Sequence, residues 1–285
     1  MSRPNPVVWH PLSLDLPQAR LAGEMAGEGK RLLLCLHGYL QVKEMWRVVF
    51  SEIPEGWQIL TVDLPLFGKT EWHDQRKPLD KHFLDAFWQE LQDRFPDKQI
   101  YLMGFSMGGK LAMCMQLRSP KPVPHVVLIA PDGIKSNFLH RVAMFSSWGK
   151  AVFRFFLGKP NFVLGLAQRV HQIGWIDSFL LRFVRINVST SEQRNRISAF
   201  MHMYGGLRLR FTEISRYTQK HQNRWLILWG AKDTALPASQ APYFVEQVPH
   251  SQHYILPEGH MILEDNPTGV MELLQKHFFA AESAH

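Results

Sequence analysis

The stretch Gly104–Leu111, GFSMGGKL, decides the fold, and it fits two different motifs. Its first five residues match G-x-S-x-G, a sharp turn between a strand and a helix that exposes a nucleophilic serine. Its first seven residues also match most of G-x-x-x-x-G-K-[ST], the glycine-rich loop that holds phosphates. The rest of the chain must therefore discriminate between a serine that attacks acyl groups and a loop that binds a nucleotide.

Two features argue against the phosphate loop. The motif should end in a serine or threonine whose hydroxyl ligates magnesium, but Leu111 stands at that position. Asp63 does end a predicted strand, yet it precedes the loop, whereas the acidic strand of such sites usually follows it. We therefore favour the serine turn, in which the small residues Gly104 and Gly108 leave room for a strained backbone at Ser106.

Short apolar runs bounded by glycine, proline or aspartate predict strands that are buried on both faces of a parallel sheet. Residues 7–14 and 18–25 predict an antiparallel pair at one edge. Helical periodicity between the runs completes an α/β fold, a mostly parallel twisted sheet with helices on both faces. The runs are Arg31–His37, Gln58–Asp63, Gln99–Phe105, His125–Ala130, Arg224–Trp229 and His253–Leu256, and the helices are Asp80–Phe95, Met107–Arg118, Ala238–Gln247 and Pro267–Phe279.

The middle of the chain interrupts this alternation with a segment rich in Phe, Trp, Arg and Lys. Its periodicity is helical, with breaks expected at Gly158–Pro160 and Asn187–Thr190. We predict a mostly helical cap, inserted between the strand that ends near Ala130 and the strand that begins near Arg224. The predicted domains are a core of residues 1–133 and 221–285 and a cap of residues 134–220.

A nucleophilic serine needs a histidine base, and the base needs an orienting carboxylate. Asp233 follows the fifth apolar run, and His260 follows the sixth. Because the carboxyl ends of parallel strands meet at one edge of a sheet, we expect both to lie near Ser106. Asp132, which follows the fourth run, is the alternative acid.

These motifs resemble those of the α/β-hydrolase superfamily across nearly the whole chain. The similarity is greatest to its capped, cofactor-free branch of esterases and lipases, with the chain order Ser106, Asp233, His260. The resemblance implies an oxyanion hole made by the backbone N–H groups of Tyr39 and Met107. The loop after Asp63 departs from the family pattern D-x-P-G-x-G, because it reads Asp-Leu-Pro-Leu-Phe-Gly.

The resemblance implies a serine hydrolase that cleaves a carboxylic ester through an acyl-serine, without a metal or other cofactor. One alternative is a carbon–carbon bond hydrolase of diketones that uses the same three residues. Another is a non-catalytic member of the fold that binds a small ligand. A cap over the serine would line an apolar pocket, and the candidates for that lining are Phe145, Trp148, Phe156, Trp175 and Met201.

Composition and charge restrict the location and the partners. The 285 residues are 46% hydrophobic, the N-terminal residues lack the apolar core of a signal peptide, and the two cysteines lie in apolar runs. These features predict a reduced, cytoplasmic protein. Residues 134–220 carry 14 Lys/Arg against 3 Asp/Glu, whereas the remainder carries 18 against 22. We expect the basic cap to attract an amphiphilic or anionic substrate, or an anionic membrane. The sequence contains no recognised nucleic-acid-binding motif, so we expect no nucleic-acid partner.

Overall fold

The computed structural model describes residues 6–74, 77–134, 147–176 and 178–280. Contacts between residues divide the chain into two compact units. The first comprises Met1–His73, Lys81–Lys135 and Leu209–His285, and the second comprises Asp74–Asp80 and Ser136–Arg208.

One sheet forms the centre of the first unit. Its strands are β1 (His10–Leu16), β2 (Ala19–Gly27), β3 (Arg31–Leu36), β4 (Trp57–Val62), β5 (Glu71–Trp72), β6 (Gln99–Phe105), β7 (His125–Ile129), β8 (Arg224–Gly230) and β9 (Gln252–Leu256). The order is β1-β2-β4-β3-β6-β7-β8-β9, with β5 also paired to β2. Every pair from β4 to β9 along this order is parallel, while β2 is antiparallel to β1 and β4. The mostly parallel sheet and its antiparallel edge are confirmed.

The central strands are buried along almost their whole length, as continuous apolar runs require. All six residues of β4 and all five of β7 are buried. A tryptophan–phenylalanine cluster covers one face of these strands, where Trp57 contacts Tyr101, Phe278 and Phe279 with ring centroids 4.8–4.9 Å apart. The strands are therefore a rigid base for the loops at their ends.

Helices complete both units. They are α1 (Lys81–Arg94), α2 (Met107–Arg118), α3 (Ser147–Leu157), α4 (Pro160–Gln172), α5 (Ser178–Val188), α6 (Ser191–Tyr204), α7 (Phe211–His221), α8 (Ala241–Gln247), α9 (Ile262–Asp265) and α10 (Pro267–Leu274), which continues as a π-helical turn, Gln275–Phe279. Helix α2 packs on β3, β6 and β7. Helix α7 packs on α2 and α8 and belongs to the first unit. In this part of the chain the second unit therefore spans Ser136–Arg208, fewer residues than the predicted cap of residues 134–220.

The second unit is helical, with α3 to α6 packed pairwise in chain order. The expected break at Gly158–Pro160 is confirmed, and Thr190 is the N-cap of α6, where it forms a capping box with Gln193. Two further breaks divide segments whose periodicity is continuous, at Gly174, where φ is +78°, and at Gly205-Gly206. Within the described residues, no helix is both long enough and apolar enough to cross a membrane.

Candidate active site

Ser106 lies in a strained turn between β6 and α2. Its φ of 51° and ψ of −116° are unusual for a residue with a side chain. A Cβ on Gly104 would lie 2.3 Å from the carbonyl oxygen of Gly108, and a Cβ on Gly108 would lie 2.0 Å from that of Leu36. Only glycine fits at either position, and the turn therefore holds the Ser106 side chain at the carboxyl end of the sheet.

His260 and Asp233 meet Ser106 at this edge. His260 Nε2 lies 3.1 Å from Ser106 Oγ, and His260 Nδ1 lies 2.7 Å from Asp233 Oδ2. The other carboxylate oxygen of Asp233 accepts the backbone N–H groups of Ala235 and Leu236, at 2.9 and 2.8 Å. These bonds fix the carboxylate so that one oxygen points at the imidazole.

The loops after β8 and β9 are joined by backbone contacts that bring these two residues together. The N–H of Ala231 donates to Leu256, and that of Lys232 donates to Glu258. A Cβ on Gly230 would lie 2.2 Å from the Gly259 carbonyl oxygen, so only glycine lets the loops approach this closely. The ring of His260 also packs on Phe105, with centroids 5.2 Å apart.

The hydrogen bonds that link Ser106, His260 and Asp233 show which atom is the donor and which is the acceptor in each contact. An ionised carboxylate only accepts, so the N–H of His260 lies on Nδ1 and donates to Asp233. In the neutral ring Nε2 is then an acceptor, and Ser106 Oγ donates to it. The imidazole is thus oriented to take the proton of the serine.

A second serine–histidine pair has the opposite polarity. Ser251 Oγ lies 2.7 Å from His253 Nε2, but the indole N–H of Trp229 donates to His253 Nδ1. The ring proton therefore lies on Nε2 and donates to Ser251, whose own hydroxyl donates to Val248. Burial of the ring lowers the pKa of His253. This pair cannot activate its serine.

Asp132, the alternative acid, has a different set of contacts. Its backbone N–H donates to the Ser106 carbonyl at 3.0 Å, and its Oδ1 accepts the N–H of Gly133 at 2.7 Å. The structure thus brings Asp233, and not Asp132, into hydrogen-bond contact with His260.

The loop after β3 carries Tyr39, and its packing explains why it lies beside the serine turn. The Gly108 position, one residue beyond Met107, is in contact with the backbone of Leu36 and His37. Gln41 accepts the N–H of Gly38 at 3.1 Å and donates its own backbone N–H to the Gly38 carbonyl. As the first residue of α2, Met107 has a backbone N–H that no preceding helical carbonyl reaches.

His37 fixes this loop to the loop after β4. Its Nδ1–H donates to the Gly38 carbonyl at 2.7 Å, and its Nε2 accepts the N–H of Leu64 at 2.8 Å. The ring is fully buried, and this desolvation lowers its pKa from 6.5 to about 4, although the Gly38 hydrogen bond acts in the other direction. His37 is therefore a neutral cross-link near neutral pH.

Asp63, at the end of β4, fixes the same pair of loops. Its carboxylate accepts the backbone N–H groups of Lys43 and Lys69 and pairs with the Lys43 ammonium at 3.0 Å. A Cβ on Gly68 would lie 2.1 Å from this carboxylate, so the glycine gives access to it. All its oxygens are committed, and it takes no part in the series of Ser106, His260 and Asp233.

The predicted pocket residues lie in the second unit, and the structure describes three of their side chains. Phe156 and Trp175 are exposed, Trp175 by 80%, and Met201 is half-buried. Phe145 and the side chain of Trp148 lie outside the described residues. That these residues line a pocket stays a prediction.

An open groove of about 850 Å³ lies at the opposite edge of the sheet. Its lining includes Lys98, Pro124 and Arg224, which stand at the amino ends of β6, β7 and β8. Since Ser106, Asp233 and His260 follow the carboxyl ends of their strands, this groove is not the site of Ser106.

Other reactive groups do not form a second site in the described part of the chain. Burial raises the pKa of both cysteine thiols, that of Cys114 to about 11, so neither thiol ionises readily. Among residues with described side chains, no group of three or more His, Cys, Asp or Glu could hold a metal ion. His250 and His253 remain a pair without a third ligand there.

Sequence reasoning did not identify Gln41 as part of this site, and it used Gly230 only as the first residue of the Gly-x-x-Asp turn that ends at Asp233. Gln41 clamps Gly38 and reaches Glu264 at 3.3 Å, and Gly230 permits the contact of two loops. The available signal for Gly230 was its position at the end of an apolar run, three residues before Asp233. For Gln41 the sequence contains no comparable signal.

A parallel sheet with a serine on a strained strand-to-helix turn, and an aspartate and a histidine on the next loops at the same edge, defines the α/β-hydrolase class. A family model described as alpha/beta hydrolase fold matches residues 31–267. The chain belongs to this family.

Individual relatives are distant. The chain is 24% identical over 252 residues to the pimeloyl-[acyl-carrier protein] methyl ester esterase of Nitrosomonas europaea, covering 83% of this chain and 91% of the relative. It is 24% identical over 265 residues to a human monoacylglycerol lipase, covering 86% of this chain and 74% of the lipase. A putative epoxide hydrolase structure from Pseudomonas aeruginosa has a TM-score of 0.66 at 17% identity, covering 98% and 99%. That structural similarity concerns the fold alone.

Proposed function

We propose that the protein is a serine hydrolase that cleaves carboxylic esters with a lipophilic acyl or alcohol part, through an acyl-serine intermediate. The observation that carries the proposal is the hydrogen-bonded series from Ser106 Oγ through His260 to Asp233, with separations of 3.1 and 2.7 Å. Two relatives whose names describe a methyl ester esterase and a monoacylglycerol lipase support the choice of an ester substrate.

In the proposed reaction Ser106 Oγ attacks the ester carbonyl while its proton passes to His260 Nε2. The imidazolium then gives this proton to the departing alkoxide, which leaves as an alcohol. Water, deprotonated by the same nitrogen, attacks the acyl-serine and releases the carboxylic acid, and Ser106 recovers its proton. Asp233 stays ionised throughout and stabilises the charged imidazole.

The negative oxygen of the tetrahedral intermediate needs donors that are already in place. We assign this role to the backbone N–H groups of Met107 and Tyr39, supported by the close packing of the serine turn on the loop after β3. Each such donor contributes about 3–4 kcal/mol to transition-state stabilisation. The start of α2 adds a favourable helix dipole at the same place.

A fluorophosphonate probe tests the nucleophile. We expect the probe to label the wild-type protein and Ser251→Ala, but not Ser106→Ala. Ser251→Ala is a matched control because Ser251 also contacts a histidine, with the opposite proton direction. Circular dichroism checks that each variant is folded. A folded wild-type protein that remains unlabelled at Ser106 would contradict the acyl-serine proposal.

Asparagine variants test the acid. Asp233→Asn is expected to lower kcat by about 10³–10⁴-fold, because it no longer holds the histidine in the required tautomer. Asp132→Asn is the matched control and should retain turnover near the wild-type value. If only Asp132→Asn loses turnover of a p-nitrophenyl ester, the assignment of Asp233 is wrong.

A chain-length series of p-nitrophenyl esters tests the substrate class. A lipophilic acyl site gains about 0.8 kcal/mol per buried methylene, so kcat/KM should rise about fourfold per added methylene until the site is filled. A flat series with turnover at every length would keep the serine chemistry but contradict the lipophilic acyl part.

A further inference from the structure

The second unit carries an exposed apolar surface, which we call the α3–α4 face. It consists of six large apolar side chains that are exposed by 40–80%, at the end of α3, along α4 and in the turn that follows. A patch of this kind on a protein surface indicates a binding site for a partner or a membrane. Its members are Phe155, Phe156, Phe162, Leu166, Ile173 and Trp175.

Helical spacing places several of these side chains on one stripe. Phe162 and Leu166 are four residues apart, so they project from the same side of α4, and Ile173 follows seven residues later as the C-cap of this helix. Arg169 lies on this side as well and is exposed, whereas Ala167, toward the other side, is buried. The rings of Phe156 and Phe162 stack with centroids 6.1 Å apart, which joins the end of α3 to the stripe.

The same face is cationic. No aspartate or glutamate occurs in the sequence from Gly133 to Ile176, which contains six lysines and arginines. Arg154, Lys159 and Arg169 are exposed, and the Lys159 ammonium lies 4.4 Å from the centre of the Phe155 ring. The rings of Phe155, Phe156 and Phe162 are therefore bordered by positive charge, and the carboxylates that flank this segment in the sequence are Asp132 and Asp177.

We propose that the α3–α4 face binds the surface of anionic membranes. Its rings enter the boundary between headgroups and acyl chains, where aromatic side chains are favoured, and its cations contact the lipid phosphates and carboxylates. Two copies of the face would bring like charges together, which disfavours self-association. Phe156 and Trp175, predicted from the sequence to line a pocket, are here assigned to lipid contact.

This binding goes beyond the proposed ester hydrolysis and needs no chemistry at Ser106. Ser106→Ala should therefore bind vesicles like the wild-type protein while losing fluorophosphonate labelling. Wild-type protein that binds vesicles but is never labelled would overturn the hydrolase proposal and leave the membrane surface intact, so the two failures are distinguishable.

Vesicle co-sedimentation of the full chain tests the proposal. One set of vesicles contains phosphatidylcholine alone and the other contains phosphatidylcholine mixed with phosphatidylserine. We expect strong binding to the mixed vesicles at low salt, weak binding to pure phosphatidylcholine, and loss of binding as salt is added. Equal binding to both vesicle types, or none to either, would overturn the proposal.

Paired variants locate the surface. Lys159→Gln with Arg169→Gln is expected to weaken binding about 25-fold, from about fivefold per charge. Lys30→Gln with Lys121→Gln removes the same charge from exposed positions in the first unit and should bind like the wild-type protein. A similar loss for both pairs would show a non-specific effect of net charge and overturn the assignment to this face.

A third variant tests the apolar part. Phe155→Ser, Phe162→Ser and Leu166→Ser together are expected to weaken binding at least tenfold. Val8→Ser with Val48→Ser, at exposed positions elsewhere, is the control. Melting curves check folding, and size-exclusion chromatography with light scattering checks mass. A wild-type dimer that the triple variant converts to a monomer would instead make this face a protein interface.

Discussion

The strained backbone at Ser106 is the feature of the fold that the residue types in the sequence predict most directly. A conformation of this kind costs about 1–3 kcal/mol, so the surrounding structure must impose it. Gly104 and Gly108 do so because their missing side chains let β6, α2 and the end of β3 approach each other. The glycine spacing predicted this turn from the sequence because a steric requirement leaves a direct mark on residue type.

The first prediction concerns Gly108. Gly108→Ala should destabilise the protein by about 1–3 kcal/mol, because the new methyl group would overlap the Leu36 carbonyl oxygen. Gly165→Ala is the control, since nothing beyond the adjacent residues and the backbone of its own helix lies within 4 Å of its Cβ position on α4, and alanine there should stabilise by up to about 1 kcal/mol. Urea denaturation midpoints measure both. Similar midpoints for the two variants would contradict the steric explanation.

The second prediction concerns Leu66, the residue that departs from the family pattern. Its φ of +77° lies in the left-handed region, where a side chain costs about 1–2 kcal/mol. Leu66→Gly should therefore be more stable than Leu66→Ala by about 1 kcal/mol, although glycine is normally the less stable of the two. Both variants lose the leucine side chain, so their difference in urea midpoint isolates the backbone. The opposite order would show that the loop relaxes.

Between elements, buried polar groups join the loops that surround the site. His37 links the end of β3 to the loop after β4, and Asp63 fixes both through backbone N–H groups. The sequence placed His37 and Asp63 at strand ends, but each also bonds to the loop that follows the other strand, His37 to Leu64 and Asp63 to Lys43. Those hydrogen bonds depend on the register of β3 against β4, which apolar patterning alone does not give.

The third prediction is a pH dependence caused by His37. Its folded pKa of about 4 lies below the unfolded value near 6.5, so the unfolded state binds more protons between these values. The free energy of unfolding should be largest above pH 6.5 and fall through the range down to pH 4, with His37 contributing a loss of about 3 kcal/mol. Urea denaturation across this range measures it.

A matched pair isolates that contribution. His37→Gln removes the buried imidazole and should show a shallower fall in stability between pH 6.5 and 4 than the wild-type protein. His10→Gln, at an exposed position of β1, should keep the wild-type slope. An unchanged slope in His37→Gln would contradict a depressed pKa at this residue. If that variant does not fold, the NMR chemical shifts of the His37 ring in the wild-type protein should show an unprotonated imidazole at pH 5.

Elements were predictable to different degrees, for physical reasons. Buried parallel strands produce continuous apolar runs, and their predicted bounds agree with the structure within about one residue. The two-residue β5 was missed because so short a strand leaves no periodic pattern. The helix breaks at Gly174 and Gly205 were missed because apolar residues continue at helical spacing across them.

For the whole molecule, topology brought the predicted site together. Parallel strands end at one edge, so residues after β6, β8 and β9 had to meet wherever loop lengths allowed. The direction of the protons was beyond the sequence, because Ser106 and Ser251 both lie beside histidines and only Asp233 and Trp229 distinguish them. The sequence also did not show which apolar residues of the second unit are exposed, because the packing of its helices determines their exposure.

The uneven charge of the molecule leads to a last prediction, which connects ester hydrolysis at Ser106 with membrane binding by the α3–α4 face. If the α3–α4 face binds anionic membranes, a long-chain ester should be hydrolysed faster in anionic vesicles than in phosphatidylcholine vesicles, because the enzyme concentrates at its substrate. The advantage should disappear as salt shortens the Debye length from about 10 Å at 0.1 M to about 3 Å at 1 M.

Lys159→Gln with Arg169→Gln provides the decisive comparison for this advantage. This variant should lose the preference for anionic vesicles and its salt dependence, yet keep the wild-type kcat/KM for a short ester in solution. The reason is that these charges act on where the protein is, whereas Ser106, His260 and Asp233 act on the carbonyl. A variant that loses both activities would show that the two cations support the fold or the chemistry, and the membrane would then have no part in substrate selection.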